Sequence, residues 1–327
     1  MNKRRKLVIA LGAGALVAPF GSLAQQQGNV PQIGLLWIDT ENPSQYVAAF
    51  REGLRARGYV EGKNIHVDDR FLVDRYERLS EAATRLVNQK VDLIVCYGST
   101  ATRAASKATS TIPIVMISGG DPVKLGVAAS LSKPGGNVTG ISSVNEELSG
   151  KRLEILKEIV PGMHRVAVVL YPESSAGSEG FKNYESAARV LNLQVRAVEI
   201  HTSAEIGPAI AGIAKMNVQA IAVMGSTLLT SNKKDVVAAV EKVRLPSIYS
   251  ISDFSHAGGL LAYAPNLSDR FRQAAIFVGK ILKGAKPGDL PIEQPTKFEL
   301  VVNMKTAKAL GIKIPNSILV RADKVIE

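Results

Sequence analysis

The sequence predicts an α/β fold made of two doubly wound parallel-sheet lobes of related structure. The first observation is a repeated stretch, since residues 91–100 read VDLIVCYGST and residues 218–227 read VQAIAVMGST. Each copy is an apolar run typical of a strand buried on both faces, and each is followed by hydroxyl residues where a helix should begin. The second observation is the alternation of such runs with helical stretches, which favours parallel strands joined by right-handed crossovers. A repeat of this length indicates a duplicated domain and not a solenoid.

The first half of the chain carries one series of these elements. A strand at 33–37 is followed by an amphipathic helix from Ser44 that Gly58 ends. The series continues with strands at 64–72, 91–97, 112–117 and 138–142 and helices at 77–88 and 99–108.

The second half repeats the same order. A helix over 148–160 is ended by Pro161-Gly162, and residues 165–171 are the counterpart of the first strand. The later strands are predicted at 193–200, 218–224, 246–250, 258–263 and 298–303, and the later helices at 181–191, 205–216, 227–243, 268–283 and 304–310. We assign 30–143 and 252–285 to an N-terminal lobe, and 144–251 and 286–327 to a C-terminal lobe.

Residues 1–24 have the pattern of a secretory signal peptide. A basic segment, Lys3 to Lys6, precedes an apolar run at 7–20, and Ser22-Leu23-Ala24 places small residues at the two positions that signal peptidase reads. The apolar run is short for a membrane span. We expect cleavage after Ala24, a periplasmic protein and no stable membrane insertion. Arg4-Arg5 leaves Sec and twin-arginine export both open, and a retained anchor is the alternative to cleavage.

The distribution of charge and the single cysteine argue against nucleic-acid binding and against an internal disulfide. Loss of the four basic residues of the signal lowers the formal net charge from +11 to +7. The remaining basic residues alternate with Glu along predicted helices, and no helix-turn-helix pattern or basic-aromatic stripe accompanies them, so we predict no nucleic-acid binding. Cys96 is the only cysteine, forms no internal disulfide and is expected to be a small buried residue.

The sequence contains no recognisable catalytic motif. The four histidines belong to no HExxH motif, and neither a GxSxG nucleophile elbow nor a P-loop is present. We therefore predict a protein that is not an enzyme and that uses no cofactor or metal.

Polar and aromatic residues at the carboxyl ends of predicted strands form the candidate binding site, because open α/β sheets bind ligands at that edge. Their hydroxyls are expected either to donate hydrogen bonds to a ligand carboxylate or only to cap their helices. These hydroxyl residues are Ser99, Thr100, Ser226 and Thr227.

Five further residues or segments at strand ends complete this prediction. Ser118, Gly119, Gly120 and Asp121 form a sharp loop in which Asp121 either holds a ligand ammonium or starts the next helix. Trp37 and Tyr171 end equivalent strands and are expected to stack on a ligand, with core packing as the alternative. Tyr249 and Asp253 follow the strand at 246–250 and are expected to complete the cleft.

Four segments carry a resemblance to a known family. They are residues 91–115, 295–327 and, most specifically, 120–143, which reads GDPVKLGVAASLSKPGGNVTGISS; Pro31 to Leu36 matches as well. The chain resembles the ABC transporter substrate-binding proteins of the periplasmic-binding-protein type I fold, the group with tryptophan- and tyrosine-binding members. The resemblance implies two Rossmann-like lobes joined by three crossings at a hinge, with a membrane permease and an ATPase as partners.

One position departs from the family pattern. Amino-acid-binding relatives have an acidic or amide pair of Asp-Asn character where this chain reads Gly225-Ser226-Thr227. An α-amino acid and a carboxylate without an amine are therefore both open as ligands, and Asp253 or Asp121 is the candidate substitute for the acid.

From these observations we predict a monomeric receptor of an ABC importer that closes its two lobes on a small carboxylate-bearing solute, an amino acid or organic acid. A sensor subunit that signals ligand state to a membrane kinase or chemoreceptor is the main alternative. A secreted α/β enzyme is a third hypothesis, whereas the export signal and the missing DNA-binding headpiece argue against a repressor core.

Overall fold

The computed structural model describes residues 30–38, 45–69, 76–117, 120–143, 148–174 and 177–327. The predicted signal peptide, residues 1–24, lies outside these ranges. Within the described ranges, no helix combines the length and the apolar character needed to cross a membrane.

The first series of elements forms a five-stranded sheet in which every pairing is parallel. Its strands and helices are β1 (Gln32–Leu36), α1 (Gln45–Arg55), β2 (His66–Asp68), α2 (Leu79–Asn88), β3 (Leu93–Tyr97), α3 (Ser99–Ala108), β4 (Ile114–Ile117) and β5 (Val138–Ile141). The strand order is β2-β1-β3-β4-β5. The buried strands β3 and β4 have no exposed side chain, as expected for a sheet covered on both faces.

The second series forms a seven-stranded sheet in which β10 and β11 are antiparallel and the other pairings are parallel. The elements are α4 (Ser149–Ile159), β6 (Arg165–Leu170), α5 (Gly177–Val190), β7 (Gln194–Glu199), α6 (Ile206–Gly212), β8 (Ala220–Val223), α7 (Thr227–Ser231), α8 (Lys233–Val243), β9 (Ser247–Tyr249), α9 (Asp253–His256), β10 (Leu261–Pro265), α10 (Leu267–Leu282), β11 (Phe298–Asn303), α11 (Met304–Leu310), α12 (Asn316–Arg321) and β12 (Lys324–Ile326). The strand order is β12-β11-β10-β9-β8-β6-β7.

The two sheets confirm the predicted duplication. The order β7-β6-β8-β9-β10 of the second sheet is the order β2-β1-β3-β4-β5 of the first. The repeated stretch therefore forms the middle strand of this shared five-strand order, β3 in one sheet and β8 in the other. In both sheets the topological switch point, where α/β proteins bind ligands, lies beside this strand.

The boundary between the lobes differs from the predicted one. Residues 252–285 were expected in the N-terminal lobe, but β10 pairs with β9 and extends the second sheet. Only α10 returns to the first sheet, where its apolar face packs against α1 and β4. The first lobe thus comprises β1–β5, α1–α3, α10 and residues 286–293, and the second lobe the remaining described elements from α4 onward.

The chain crosses between the lobes a third time after α10. Thr139 Oγ1 donates a hydrogen bond to Leu290 O at 2.8 Å, and Glu293 N donates to Gly140 O at 2.9 Å. These bonds hold residues 290–293 against β5, after which the chain enters β11 of the second sheet. The chain thus passes from one sheet to the other between β5 and α4, between β10 and α10, and between residue 293 and β11.

Two elements differ locally from the sequence prediction. The helix predicted over 227–243 is broken at Asn232, whose Nδ2 donates to Leu228 O at 2.8 Å and so ends α7. The pairing of β11 against β10 is antiparallel, because the chain reaches β11 directly from the first lobe and not through a covering helix. Cys96 is fully buried as predicted, and burial raises the pKa of its thiol.

Candidate functional site

The two repeated Gly-Ser-Thr segments face each other. Gly98 has φ +85° and turns β3 directly into α3. A Cβ atom placed on Gly98 would lie 3.9 Å from Oγ1 of Thr227, which begins α7 in the second lobe. The carboxyl edges of the two sheets therefore meet at these segments.

The four hydroxyl residues have different local roles. Ser226 is the N-cap of α7, because its Oγ accepts a hydrogen bond from Leu229 N at 3.1 Å. Ser99 and Thr100 are the first two residues of α3, the former half-buried and the latter exposed. Thr227 is half-buried opposite Gly98. Ser226 therefore caps its helix, which was the alternative to ligand binding. Its hydroxyl hydrogen is still available as a donor.

Asp253 joins the two lobes beside these segments. It is the first residue of α9 in the second lobe and is 7 % exposed. The hydroxyl of Tyr46, on α1 of the first lobe, donates a hydrogen bond to Asp253 Oδ1. Lys233 Nζ, at the start of α8, lies 3.6 Å from Asp253 Oδ2. A carboxylate with a phenol and an ammonium neighbour therefore occupies the inter-lobe region.

A cluster of aromatic rings covers the first-lobe side. Phe271 of α10 lies at its centre, with ring centroids 5.1 Å from Tyr46, 5.5 Å from Tyr97 and 5.3 Å from Trp37. Trp37 is 1 % exposed and packs edge-on against Phe271, so core packing, the alternative to ligand stacking, describes its surroundings. Tyr46 and Tyr97 are half-buried, and the Tyr46 hydroxyl is the one that donates to Asp253.

Charges of opposite sign act on the tyrosine hydroxyls of this cluster. Burial and then the Asp253 carboxylate raise the pKa of Tyr46. Burial and then Asp253 also raise the pKa of Tyr97, whereas Arg270 of α10 acts in the opposite direction and more weakly. Arg270 is 3 % exposed, and its Nη2 donates a hydrogen bond to Ser142 O at 3.3 Å.

A second inter-lobe contact lies at residues 120–126. Asp121 Oδ1 accepts hydrogen bonds from Val123 N at 2.9 Å and Lys124 N at 3.3 Å, so this exposed carboxylate organises its own turn. Lys124 Nζ donates to Glu179 of α5 in the second lobe. Gly120 is buried with φ +73°. Ser118 and Gly119, predicted as ligand-binding, lie outside the described residues.

The two remaining predicted tyrosines lie apart from the Asp253 region. Tyr249 is fully buried in the second-lobe core and stacks on Phe254 with centroids 5.0 Å apart, which differs from its expected place in the cleft. The pleat of the short strand β9 directs this ring toward α8 and α9. Tyr171 is half-buried at the end of β6, where partial burial and then Glu173 and Glu77 raise its pKa.

Sequence reasoning missed Tyr46, Tyr97, Lys233, Arg270 and Phe271. Tyr97 directly precedes the repeated Gly-Ser-Thr segment, and Tyr46 lies in the first turn of α1, the helix that follows β1, so both carried a positional signal. Arg270 and Phe271 had none, because α10 reaches the site from beyond a crossing. Among the described residues, no three His, Cys, Asp or Glu side chains come close enough to hold a metal ion.

The chain is similar to proteins of known binding behaviour. It is 29 % identical over 277 residues to a tyrosine-binding protein of Clostridioides difficile, an alignment that covers 84 % of this chain and 79 % of the relative.

Two solved structures resemble the whole described fold. The ABC domain from Streptococcus pneumonia in complex with L-Trp is 25 % identical with a TM-score of 0.83, covering 90 % of this chain and 99 % of that one. A ligand-free, open structure of a substrate-binding protein with adhesive properties from Clostridium difficile is also 25 % identical, with 91 % and 99 % coverage, but its TM-score is 0.68.

The family comparison covers almost the complete described chain. Residues 36–326 match the model of the ABC transporter substrate binding proteins, a span that runs from the end of β1 to β12. The chain belongs to the ABC transporter substrate binding protein family.

Proposed function

We propose that this protein is the receptor of an ABC importer and that it captures a small carboxylate-bearing solute, an amino acid or an organic acid, by closing its lobes. The observation that carries the proposal is the contact between the two sheet edges. Gly98 and Thr227 face each other there, and Tyr46 reaches Asp253 across the same gap. A solute bound at this position would touch both lobes and favour their closed arrangement.

The structural comparisons support the closed arrangement. At equal sequence identity, the chain superposes better on the L-Trp complex than on the ligand-free, open protein, with TM-scores of 0.83 and 0.68. The relatives named for tryptophan and tyrosine support an amino acid as the solute.

The carboxylate of the solute is assigned to the edge of the first sheet. Ser99 and Thr100 place hydroxyls and free backbone N–H groups at the start of α3, where a helix favours a negative charge. Thr227 offers a hydroxyl from the opposite lobe. Asp121, Gly120 and Tyr171 are assigned to the rim of the cleft.

The proposal places the protein in the transport cycle of a double-membraned cell. The chain is exported, the signal is cleaved after Ala24, and the monomeric receptor delivers its solute in the periplasm to a membrane permease driven by an ATPase. The permease distinguishes the closed form from the open one.

Thermal unfolding in the presence of single solutes tests this function. A solute at one hundred times its dissociation constant stabilises the folded state by about 2.7 kcal/mol, which for a chain of this size raises the Tm by about 5 °C. We expect such a shift with at least one member of a panel of amino acids and organic acids, and its loss with the methyl ester of the same compound.

An absence of any shift across the whole panel would contradict the proposal. A shift that is equally large with the ester would contradict the assignment of the carboxylate to the α3 edge. A chromatographic search for turnover products in the same samples separates a receptor from an enzyme.

A further inference from the structure

The ends of several helices meet at the edge of the first sheet where its strands begin, the edge away from the cleft. In a parallel sheet each crossover helix runs back toward the amino ends of the strands, so α1 ends there. The helix α10 ends beside it, because a Cβ atom placed on Gly279 would lie 3.9 Å from Cδ of Arg57. The loop before β5 lies next to the end of α10, since Gly135 N donates to Gly288 O at 3.0 Å.

Exposed basic side chains are concentrated where α1 and α10 end. The turn after α1 belongs to the same surface, because Asn64 Nδ2 donates back to Gly58 O at 2.8 Å. We call this surface the basic edge, and its residues are Arg55, Arg57, Lys63, Lys280, Lys283 and Lys286. None of these six forms an ion pair with a described acidic residue. Lys133 extends the positive charge along the loop before β5.

Two acidic residues close to the basic edge are engaged in bonds of their own. The carboxylate of Glu61 pairs with Arg51 at 2.7 Å, and Asp92 Oδ2 accepts a hydrogen bond from Gln32 N at 2.7 Å. These carboxylates are therefore partly neutralised or occupied. The basic edge retains an excess of positive charge that the described residues do not compensate.

Basic residues near helix ends also have a local use, because they bond to the terminal carbonyl groups. The second lobe shows this use: Lys157 Nζ donates to Leu191 O at 2.7 Å, and Arg244 Nη2 donates to Ala309 O at 3.2 Å. On the basic edge, Arg57 alone among the six does so. The side chains of the other five donate no hydrogen bond to a described residue, so capping does not account for them.

Apolar side chains accompany the charges of the basic edge. Val60 lies between Arg57 and Lys63 and is 37 % exposed, and Val30, directly before β1, is 48 % exposed. Tyr59 is half-buried beside Val60. A lipid surface presents anionic headgroups above an apolar layer, and it binds surfaces that combine Lys and Arg with apolar side chains. A soluble polyanion offers no apolar layer for the valines.

The chain also enters the fold at this edge. Pro31 O accepts a hydrogen bond from His66 N at 2.9 Å, and β1 begins with Gln32. Residues 25–30, which follow the predicted signal peptide, span at most about 20 Å when fully extended. A signal peptide held in the membrane during export would therefore keep the basic edge close to the membrane surface.

We propose that the basic edge binds the anionic phospholipid surface of a membrane. This binding is peripheral, requires no inserted helix and places the first lobe on the lipid. The cleft lies at the opposite edge of the same sheet and stays accessible to solute. The inference goes beyond solute capture and does not depend on which solute the cleft binds.

Sedimentation with lipid vesicles tests the inference on the exported protein, purified from the periplasm of producing cells. The probes are vesicles of phosphatidylcholine alone and vesicles in which about one third of the lipid is phosphatidylglycerol. We expect binding to the anionic vesicles at about 0.05 M salt, at least about tenfold weaker binding at about 0.5 M salt, and no measurable binding to the neutral vesicles.

A triple substitution locates the contact. Lys280→Gln, Lys283→Gln and Lys286→Gln together should weaken binding to the anionic vesicles about fivefold for each lysine, or about a hundredfold in total. The matched control replaces Lys305, Lys308 and Lys313, three exposed lysines of the second lobe, by Gln and should bind like the wild type. Both variants should keep the wild-type Tm, because all six side chains are exposed.

Several results would overturn the inference. These are no binding to the anionic vesicles, equal binding to neutral and anionic vesicles, or equal losses in the two triple variants. Binding to heparin, a soluble polyanion, without binding to the anionic vesicles also overturns it, because the surface would then recognise charge without lipid. None of these results bears on the receptor function, which the thermal-shift panel tests separately.

Discussion

Arg152 and Arg270 make matching hydrogen bonds at the first two crossings between the lobes. Each donates to a backbone carbonyl that precedes the crossing next to the other arginine. Arg152 lies on α4, just after the first crossing, and its Nε donates at 2.9 Å to the carbonyl of Tyr263, on the strand that precedes the second crossing. Arg270 lies on α10, just after the second crossing, and its Nη2 donates at 3.3 Å to the carbonyl of Ser142, which precedes the first. Both arginines are nearly inaccessible, with exposures of 1 % and 3 %.

The segment that leads into the third crossing contacts the same end of β5. Ser142 N donates to Glu293 O at 2.8 Å, so the strand end that Arg270 contacts also carries the chain on its way to β11. The two buried guanidinium groups thus link the segments on either side of the first two crossings.

Removing one of these arginines should destabilise the fold. Arg152→Leu leaves the part-buried carbonyl of Tyr263 without this donor, and we expect a loss of about 1–3 kcal/mol in the free energy of unfolding. Urea denaturation measures it. Arg321→Leu is the control: its bond to Glu158 is solvent-exposed, and its loss should cost at most about 1 kcal/mol. Equal effects of the two substitutions would contradict the proposed role of Arg152.

The hydroxyl of Tyr46 should matter for binding more than for folding. Tyr46→Phe removes the donor to Asp253 but keeps the ring against Phe271, and we expect about tenfold weaker binding of the solute that the thermal-shift panel identifies. Tyr59→Phe is the matched control, since its hydroxyl reaches Gly279 O within the first lobe at 3.5 Å. Calorimetry on both variants should show a loss only for Tyr46→Phe.

Substitution by alanine should destabilise the protein to different extents at two glycines with positive φ. A Cβ on Gly140, φ +128°, would lie 2.2 Å from the carbonyl oxygen of Met116 on the paired strand β4, and this backbone cannot move aside. We expect Gly140→Ala to cost about 3 kcal/mol or more. Gly62, φ +80°, has no atom within 4 Å of such a Cβ, so Gly62→Ala should cost only the backbone strain, about 1–2 kcal/mol. Similar urea midpoints for the two variants would contradict the predicted clash.

The ion pair between Lys124 and Glu179 should contribute to closure and depend on salt. Both side chains are more than half exposed, which limits the coupling to about 0.2–1 kcal/mol. A double-mutant cycle with Lys124→Gln and Glu179→Gln, read as solute affinity, should give that coupling at low ionic strength and lose it at high salt. The pair of Lys151 and Glu154, which lies within α4, is the control and should show no coupling in solute affinity.

The contact between His201 and Glu173 should make stability depend on pH in a defined window. The hydrogen bond to Glu173 raises the pKa of His201 above 6.5, so this contribution is complete below 6.5 and is lost as the pH rises through the raised value. The hydrogen bond to His201 lowers the pKa of Glu173 below 4.5, so that contribution is complete above 4.5 and is lost as the pH falls through the lowered value.

The measurement for this pair is the urea midpoint as a function of pH. We expect the wild type to gain most over His201→Gln between about pH 4.5 and 6.5, and the two profiles to converge at higher and lower pH. Parallel profiles over the whole range would contradict the assignment.

The sequence by itself determined the fold class and most of the element order. The repeated stretch at 91–100 and 218–227 predicted two equivalent buried strands, because an apolar β-branched run followed by Gly-Ser-Thr leaves few alternatives to a buried strand entering a helix. It also placed Ser99, Thr227 and Asp253 near the carboxyl edges of the sheets. These features depend on residues that are neighbours along the chain.

Only the tertiary structure decided the lobe boundary and the composition of the site. The helix α10 packs on the first sheet while β10 extends the second, and no local pattern distinguishes a crossing from an ordinary turn. Tyr46, Arg270, Phe271 and Asp253 meet from elements separated by up to 225 residues along the chain. These residues come together because α1 and α10 pack against each other on the first sheet and the second lobe packs against them. Such long-range packing produces no periodic pattern in the sequence.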